Sequence, residues 1–191
     1  RLLGAASSFA DGSYALAFPS FGPERRGAPM RAFTKMSREP IGDRSAVNRA
    51  NYVIYLDDTL LGEGWEDELL PDGKVIVNSV RSFDDPRIVA IDANGFSQEI
   101  LGRPIPNTAL LGALCSVCDY VSADDVKRAI EGYMPAKLHE RNIKVVESAI
   151  ALVQQAEVVG HEEAAAGESA GQPGATAETV TGLHRSSHSS A

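Results

Sequence analysis

The stretch of this sequence best equipped for chemistry is Pro19-Ser20-Phe21-Gly22-Pro23-Glu24-Arg25-Arg26-Gly27-Ala28-Pro29. The adjacent guanidinium groups of Arg25 and Arg26 can each meet a phosphate or carboxylate through paired N–H donors. Gly22 and Gly27 let a backbone approach a ligand closely, and the prolines fix φ, so the loop is stiff and shaped. Glu24 can orient an arginine. The same residues could instead brace a domain interface, with Glu24 paired to a guanidinium. Ligand or partner contact is the preferred reading, because loops on a rigid scaffold carry such contacts.

The other chemically capable residues point to structure. Cys115 and Cys118 have redox or zinc spacing, but they lie in an apolar helical run without a second pair. Buried structural thiols are expected there, and a [4Fe–4S] cluster would need four thiolates. Asp57-Asp58 follows an apolar strand pattern and reads as a helix cap rather than a metal site. Asp72-Gly73 runs straight into another strand pattern. His139 sits at a helix start, while His161, His184 and His188 fall in a stretch with no accompanying ligand pattern. No nucleophile–His–acid arrangement emerges, so no catalytic residue and no metal site is expected. Asn107 opens the run NTALLGAL; helix N-termini favour anions, which makes it a candidate polar contact.

Charge concentrates the argument on the loop. The 191 residues carry 18 basic against 26 acidic groups, a formal charge of -8, with a sequence pI near 5.0. A nucleic-acid footprint is therefore excluded. Yet residues 21–50 hold seven basic residues (Arg25, Arg26, Arg31, Lys35, Arg38, Arg44, Arg49) against Glu24, Glu39 and Asp43, or +4. A local cationic patch on an acidic body suits one anionic ligand or an acidic partner. No apolar run is long enough for a membrane helix, no signal-like region opens the chain, and two cysteines make no disulfide scaffold. A cytoplasmic location is expected. Arg1 is not an initiator Met, so the chain is expected to start inside a longer natural sequence.

The elements that position these residues alternate. Residues 2–10 read as the end of an amphipathic helix closed by Asp11-Gly12. Strand patterns occupy 14–18 (YALAF), 30–36 (MRAFTKM), 52–56 (YVIYL), 75–77 (VIV) and 87–93 (RIVAIDA). Short helices are expected at 59–70 and 96–101, and a longer one at 107–118. Ser122 and Asp125 form an S-x-x-D helix start, with Val126, Ala129, Ile130 and Tyr133 on one face. From Lys137 a helix puts Leu138, Val145, Val146, Ala149, Ile150, Val153 and Ala156 on a core face, with a Glu140–Lys144 pair opposite. The pattern gives an α/β, three-layer, Rossmann-like domain over residues 1–159, with a largely parallel sheet and flanking helices. Residues 160–191, rich in Ala, Gly, Ser, Thr and Glu, are expected to form a disordered tail.

AFPSFGPERRGAPMRAFTKMSREPI resembles the gamma-chain segment of the 2-oxoacid:ferredoxin oxidoreductases, most closely the pyruvate type (pyruvate synthase). NYVIYLDDTLL, VIVNS and ILGRPIPNTALLGAL agree with the family in the same order, and the resemblance covers residues 1 to about 157. The family's N-terminal Gly-rich turn has no counterpart here. The resemblance implies a gamma subunit of a complex that decarboxylates a 2-oxoacid, passes electrons to ferredoxin and forms acyl-CoA, with this chain inactive alone. It implies alpha, beta and delta-type partner subunits that hold thiamine diphosphate, Mg and [4Fe–4S] clusters. Coenzyme A is the ligand implied for Gly22, Glu24, Arg25, Arg26, Gly27 and Asn107. Two alternatives stand beside it: a purely structural subunit, and a gamma-type chain of a branched-chain 2-oxoacid or indolepyruvate oxidoreductase.

Overall fold

The computed structural model describes residues 1–10, 12–20 and 30–169, with side chains through 156. It contains two compact units, Arg1–Glu157 and Val158–Ala191. The first opens with helix α1 (Leu2–Phe9), which leads into an antiparallel hairpin of β1 (Tyr14–Pro19) and β2 (Ala32–Ser37). Then come β3 (Ala50–Tyr55), β4 (Leu69–Asn78) and β5 (Ile88–Ile91), a parallel sheet in the order β3-β4-β5. Helices α2 (Ala93–Leu101), α3 (Asn107–Val117), α4 (Ala123–Tyr133) and α5 (His139–Ser169) follow.

Alternation along the strands creates two separate cores. Ile54 pairs with Ile76, and these even-numbered residues join Tyr52 and the side chains of α1, α3, α4 and α5. Val53 pairs with Val75 and Tyr55 with Val77; these odd-numbered residues join Leu61, Leu69, Trp65 and Phe83. Val75, Ile76 and Val77 are all fully buried, as an unbroken apolar run in a parallel sheet requires. The expected layered α/β class holds, but the layer over the odd-numbered face consists of turns. Gly62 and Gly64, the latter at φ +80°, interrupt the helix expected at 59–70. Two short 3-10 turns (Asp58–Leu60 and Trp65–Glu68) stand in its place, and Leu69 already belongs to β4.

Strand β4 is longer than its apolar run. Its register against β3 shifts between Ala50 and Tyr52, where Asp72 adopts φ +62° and Gly73 lies against the Ala50 and Asn51 carbonyls. A Cβ on Gly73 would sit 3.1 Å from each of those oxygens. Asp72-Gly73 thus works as a kink inside a strand.

The helices follow their local signals. Asp92 caps α2 by accepting the Gly95 N–H at 2.7 Å, and Gly102 closes it at φ +73°. At α4 the expected box is complete: the Ser122 hydroxyl accepts the Asp125 N–H at 3.2 Å, and Asp125 accepts the Ser122 N–H at 3.1 Å. Burial pulls the Asp125 carboxyl up, but hydrogen bonds from Ser122 and Arg128 outweigh it and hold the group below its ordinary range. Ser122→Ala should therefore lower stability by about 1 kcal/mol. A melting temperature unchanged by that substitution would count against the cap.

Some details depart from the sequence pattern. Tyr133, the last residue of α4, is 64% exposed rather than on the core face. Ala156 is exposed, and Glu140 and Lys144 form no ion pair, although Lys127 and Glu147 link α4 to α5 at 2.9 Å. The α5 backbone runs ten residues past the expected boundary at 160, to Ser169, because the Glu and Ala run there favours helix. The remaining residues of the expected tail lie outside those described.

Helix α3 crosses the core with every residue from Thr108 to Leu114 buried. Its buried Thr108 hydroxyl donates to Asn142 Oδ1 of α5 at 2.9 Å, and the Tyr52 hydroxyl donates to the Val117 carbonyl at 2.8 Å. These bonds dock α3 onto both α5 and the sheet. Among the described residues, no helix is long and apolar enough to cross a membrane.

Candidate functional site

The β1–β2 hairpin has a defined base. Pro19 pairs with Ala32, and the Ser20 N–H donates to the Arg31 carbonyl at 2.8 Å. Phe18 and Phe33 pack side by side with ring centroids 5.6 Å apart, stiffening the rungs behind it. Gly22, Glu24, Arg25, Arg26 and Gly27 all lie outside the described residues, so of the six candidate site residues only Asn107 is described.

Most described cations of the +4 segment are engaged within the chain. Arg31 pairs with Glu68, Lys35 with Asp43 at 2.7 Å, and Arg49 donates to the Leu69 carbonyl at 2.7 Å. Hydrogen bonds from Lys35 and Ser45 hold the Asp43 carboxyl far below its usual range. Arg44 is exposed and makes no such contact. The patch is therefore less a free cationic surface than a set of intramolecular ties.

Asn107 is exposed at the first position of α3. The helix cap is Pro106, which supplies no side-chain hydrogen bond, so the first-turn N–H groups have no capping acceptor. Among the described residues, no hydrogen bond or ion pair joins Asn107 to the hairpin base.

The carboxyl ends of the parallel strands form a polar cluster. Asp57 accepts the Thr59 hydroxyl at 2.6 Å and, in the capping role expected of it, the Thr59 N–H at 2.9 Å; the hydroxyl first and then the N–H lower its pKa. Its neighbour Asp58 does something the sequence did not signal, accepting from the Ser79 hydroxyl at 2.6 Å and from Arg81 at 3.0 Å. Asn78 donates to the Leu56 carbonyl at 3.0 Å and accepts the Asn94 N–H. All these groups satisfy one another, which makes the rim a rigid joint.

The two thiols are free; Cys115 is half-buried and Cys118 buried. Burial pushes the Cys115 thiol up to about 12, with Cys118 and Asp125 adding to it, and burial raises Cys118 as well. Such thiols are poor nucleophiles. At pH 8, iodoacetamide should label the native chain much more slowly than the urea-unfolded chain; equal rates would contradict this burial. The folded pKa of Cys115 lies above the unfolded value of 9.0. Its stabilising contribution is therefore complete below pH 9 and is lost as pH rises towards about 12. Among the described residues, no group of three or more His, Cys, Asp or Glu side chains could hold a metal ion.

Glu68 and Tyr55 escaped the sequence reading. Their tie to Arg31 links residues far apart in the chain, and no local spacing announces it.

Known proteins resemble this chain in sequence and fold. The pyruvate ferredoxin/flavodoxin oxidoreductase family matches residues 1–152. The pyruvate synthase subunit PorC of Methanothermobacter marburgensis is 42% identical over 141 residues, covering 72% of this chain and 80% of that protein. The pyruvate/ketoisovalerate oxidoreductases common subunit gamma of Thermococcus kodakarensis is 37% identical over 155 residues, covering 76% and 84%. The crystal structure of pyruvate oxidoreductase subunit PORC from Thermotoga maritima has a TM-score of 0.66 at 31% identity, over 78% of this chain and 85% of that one. The family match runs from α1 into α5 through every strand described above, and the chain belongs to the pyruvate ferredoxin/flavodoxin oxidoreductase family, as a chain of its gamma type.

Proposed function

We propose that the chain serves a pyruvate:ferredoxin oxidoreductase complex by binding coenzyme A and by fixing the assembly around it. The complex would convert pyruvate or a related 2-oxoacid and coenzyme A into acyl-CoA and CO2 while reducing ferredoxin. Thiamine diphosphate, Mg and [4Fe–4S] clusters would supply the decarboxylation and electron transfer from alpha, beta and delta-type partner subunits, in the cytoplasm of an anaerobic metabolism.

The observation that carries the reading is that three described cations of the +4 segment are engaged within the chain. Arg31 pairs with Glu68, Lys35 with Asp43, and Arg49 donates to the Leu69 carbonyl, which leaves the adjacent Arg25 and Arg26, beside Arg44, to carry the anion-binding case. The diphosphate and 3′-phosphate of coenzyme A match paired guanidinium donors. The uncapped first turn of α3, with Asn107 exposed, offers further N–H groups of the right polarity. This chain would then bind and orient coenzyme A without moving a proton.

The same internal ties support a second reading, in which the arginines brace the subunit against its partners. Kinetics of the assembled complex carrying Arg26→Ala separates the two. A rise in the apparent KM for coenzyme A alone supports ligand binding. An equal loss towards every substrate, or loss of subunits, supports bracing.

A further inference from the structure

We propose that the turn layer around Trp65, over the odd-numbered face of the parallel sheet, is where a partner subunit docks, through an apolar patch ringed by lysine and arginine. The inference rests on the membership of a complex proposed above and is independent of coenzyme A binding.

A parallel sheet is ordinarily covered by helices on both faces. Here the core side chains of α1 to α5 all join the even-numbered face, and the odd-numbered cluster contains none of them. Leu61, Trp65 and Phe83, all outside helices α1 to α5 and the strands, pack on that cluster instead and are only half-buried. Val53, Ile88 and Ala90 of the sheet stay half-buried on the same side. Leu60 of the first turn joins neither core and is 43% exposed. The odd-numbered face is thus the one that the chain leaves thinly covered.

Two features say what completes it. The Arg87 guanidinium lies 4.7 Å from the centre of the Trp65 ring, and Asp85 holds it through bonds of 3.0 and 2.7 Å. The stack is fixed before any partner arrives, so a contact made on it loses little side-chain freedom; Trp and Arg are the side chains that anchor protein interfaces. Charge then selects the partner. Residues 57–72 hold seven acidic residues and no basic one. Glu63 and Asp67, which flank Trp65 in the chain, and Asp84, next to Asp85, are exposed and enter no ion pair among the described residues. Such carboxylates attract cations on the facing surface, and they oppose a second copy, which would bring like charges together.

Hydrogen–deuterium exchange of the assembled complex, set against the full chain alone, is the test. Amides of residues 58–68 and 81–87 should exchange about tenfold more slowly in the complex. Glu63→Lys with Asp84→Lys should weaken assembly about tenfold, with the melting temperature of the chain itself in place. Leu60→Lys, outside both cores, should weaken it as well. Unchanged exchange, or normal assembly of both variants, overturns the docking surface and leaves the complex reading standing. Self-association of the chain that the same variants abolish gives the face to a second copy and overturns it too. A chain that joins no partner overturns the complex reading and this inference with it.

Discussion

Gly112→Val is expected to abolish stable folding, and Gly112→Ala to cost about 1–3 kcal/mol, the usual penalty of overpacking. A Cβ at Gly112 would lie 2.6 Å from the Val146 carbonyl oxygen and 3.0 Å from both Val146 Cα and Ala149 Cβ. The nearest of these atoms is helix backbone, which cannot swing aside as a side-chain tip can. Helix propensity works in the opposite direction, since alanine favours a helix interior over glycine by about 1 kcal/mol. The clash should win, because the crossing of α3 over α5 is also fixed by the buried Thr108–Asn142 hydrogen bond. Several kcal/mol for valine approaches the whole stability of a typical domain, about 5–15 kcal/mol. Urea unfolding followed by helical circular dichroism is the measurement. An alanine variant with an equal or higher midpoint would show that the helices separate freely and the crossing is loose.

Arg26→Ala should raise the apparent KM for coenzyme A about ten- to a hundredfold, because one charge-assisted phosphate contact contributes roughly 1.5–3 kcal/mol. The KM for the 2-oxoacid should stay in place, along with subunit stoichiometry and cluster content. Arg26→Lys should recover only part of the loss, since an ammonium is a point charge and cannot reproduce two parallel N–H donors. Full recovery by lysine would mean that charge alone matters and that no bidentate contact exists. Unchanged kinetics in an intact complex would dispose of both ligand binding and bracing at this residue.

Local signals in the sequence carried most of the fold. The Ser122–Asp125 box, the unbroken 75–77 run and the α3 segment each announce themselves within a few residues, and each formed where expected. The misreadings came where a residue's fate depends on distant partners. The 59–70 segment has helical spacing, yet its glycines turn it into two short caps over Tyr55 and Val75. Asp58 looked like half of a capping pair, but Ser79 and Arg81, more than twenty positions on, define its role. Of the candidate site, composition singled out the Arg25–Arg26 segment, which lies outside the described residues. It could not reveal the tie of Glu68 to Arg31 and Tyr55, because neither is near Glu68 in the chain.

The alternation of β4 has a practical consequence for anyone engineering this chain. Ile76 faces the helices, while its neighbours Val75 and Val77 face the cluster that holds Tyr55. Substitutions at adjacent positions of one strand therefore report to different halves of the molecule. A volume change at Ile76 is felt by α1, α3, α4 and α5 and by Met36 of β2. One at Val77 presses on Tyr55 and, through Glu68, on Arg31 at the start of β2. Libraries meant to repack the helical side should thus draw on the even-numbered parity of the strand, and libraries meant to alter the Tyr55–Glu68–Arg31 corner on the other.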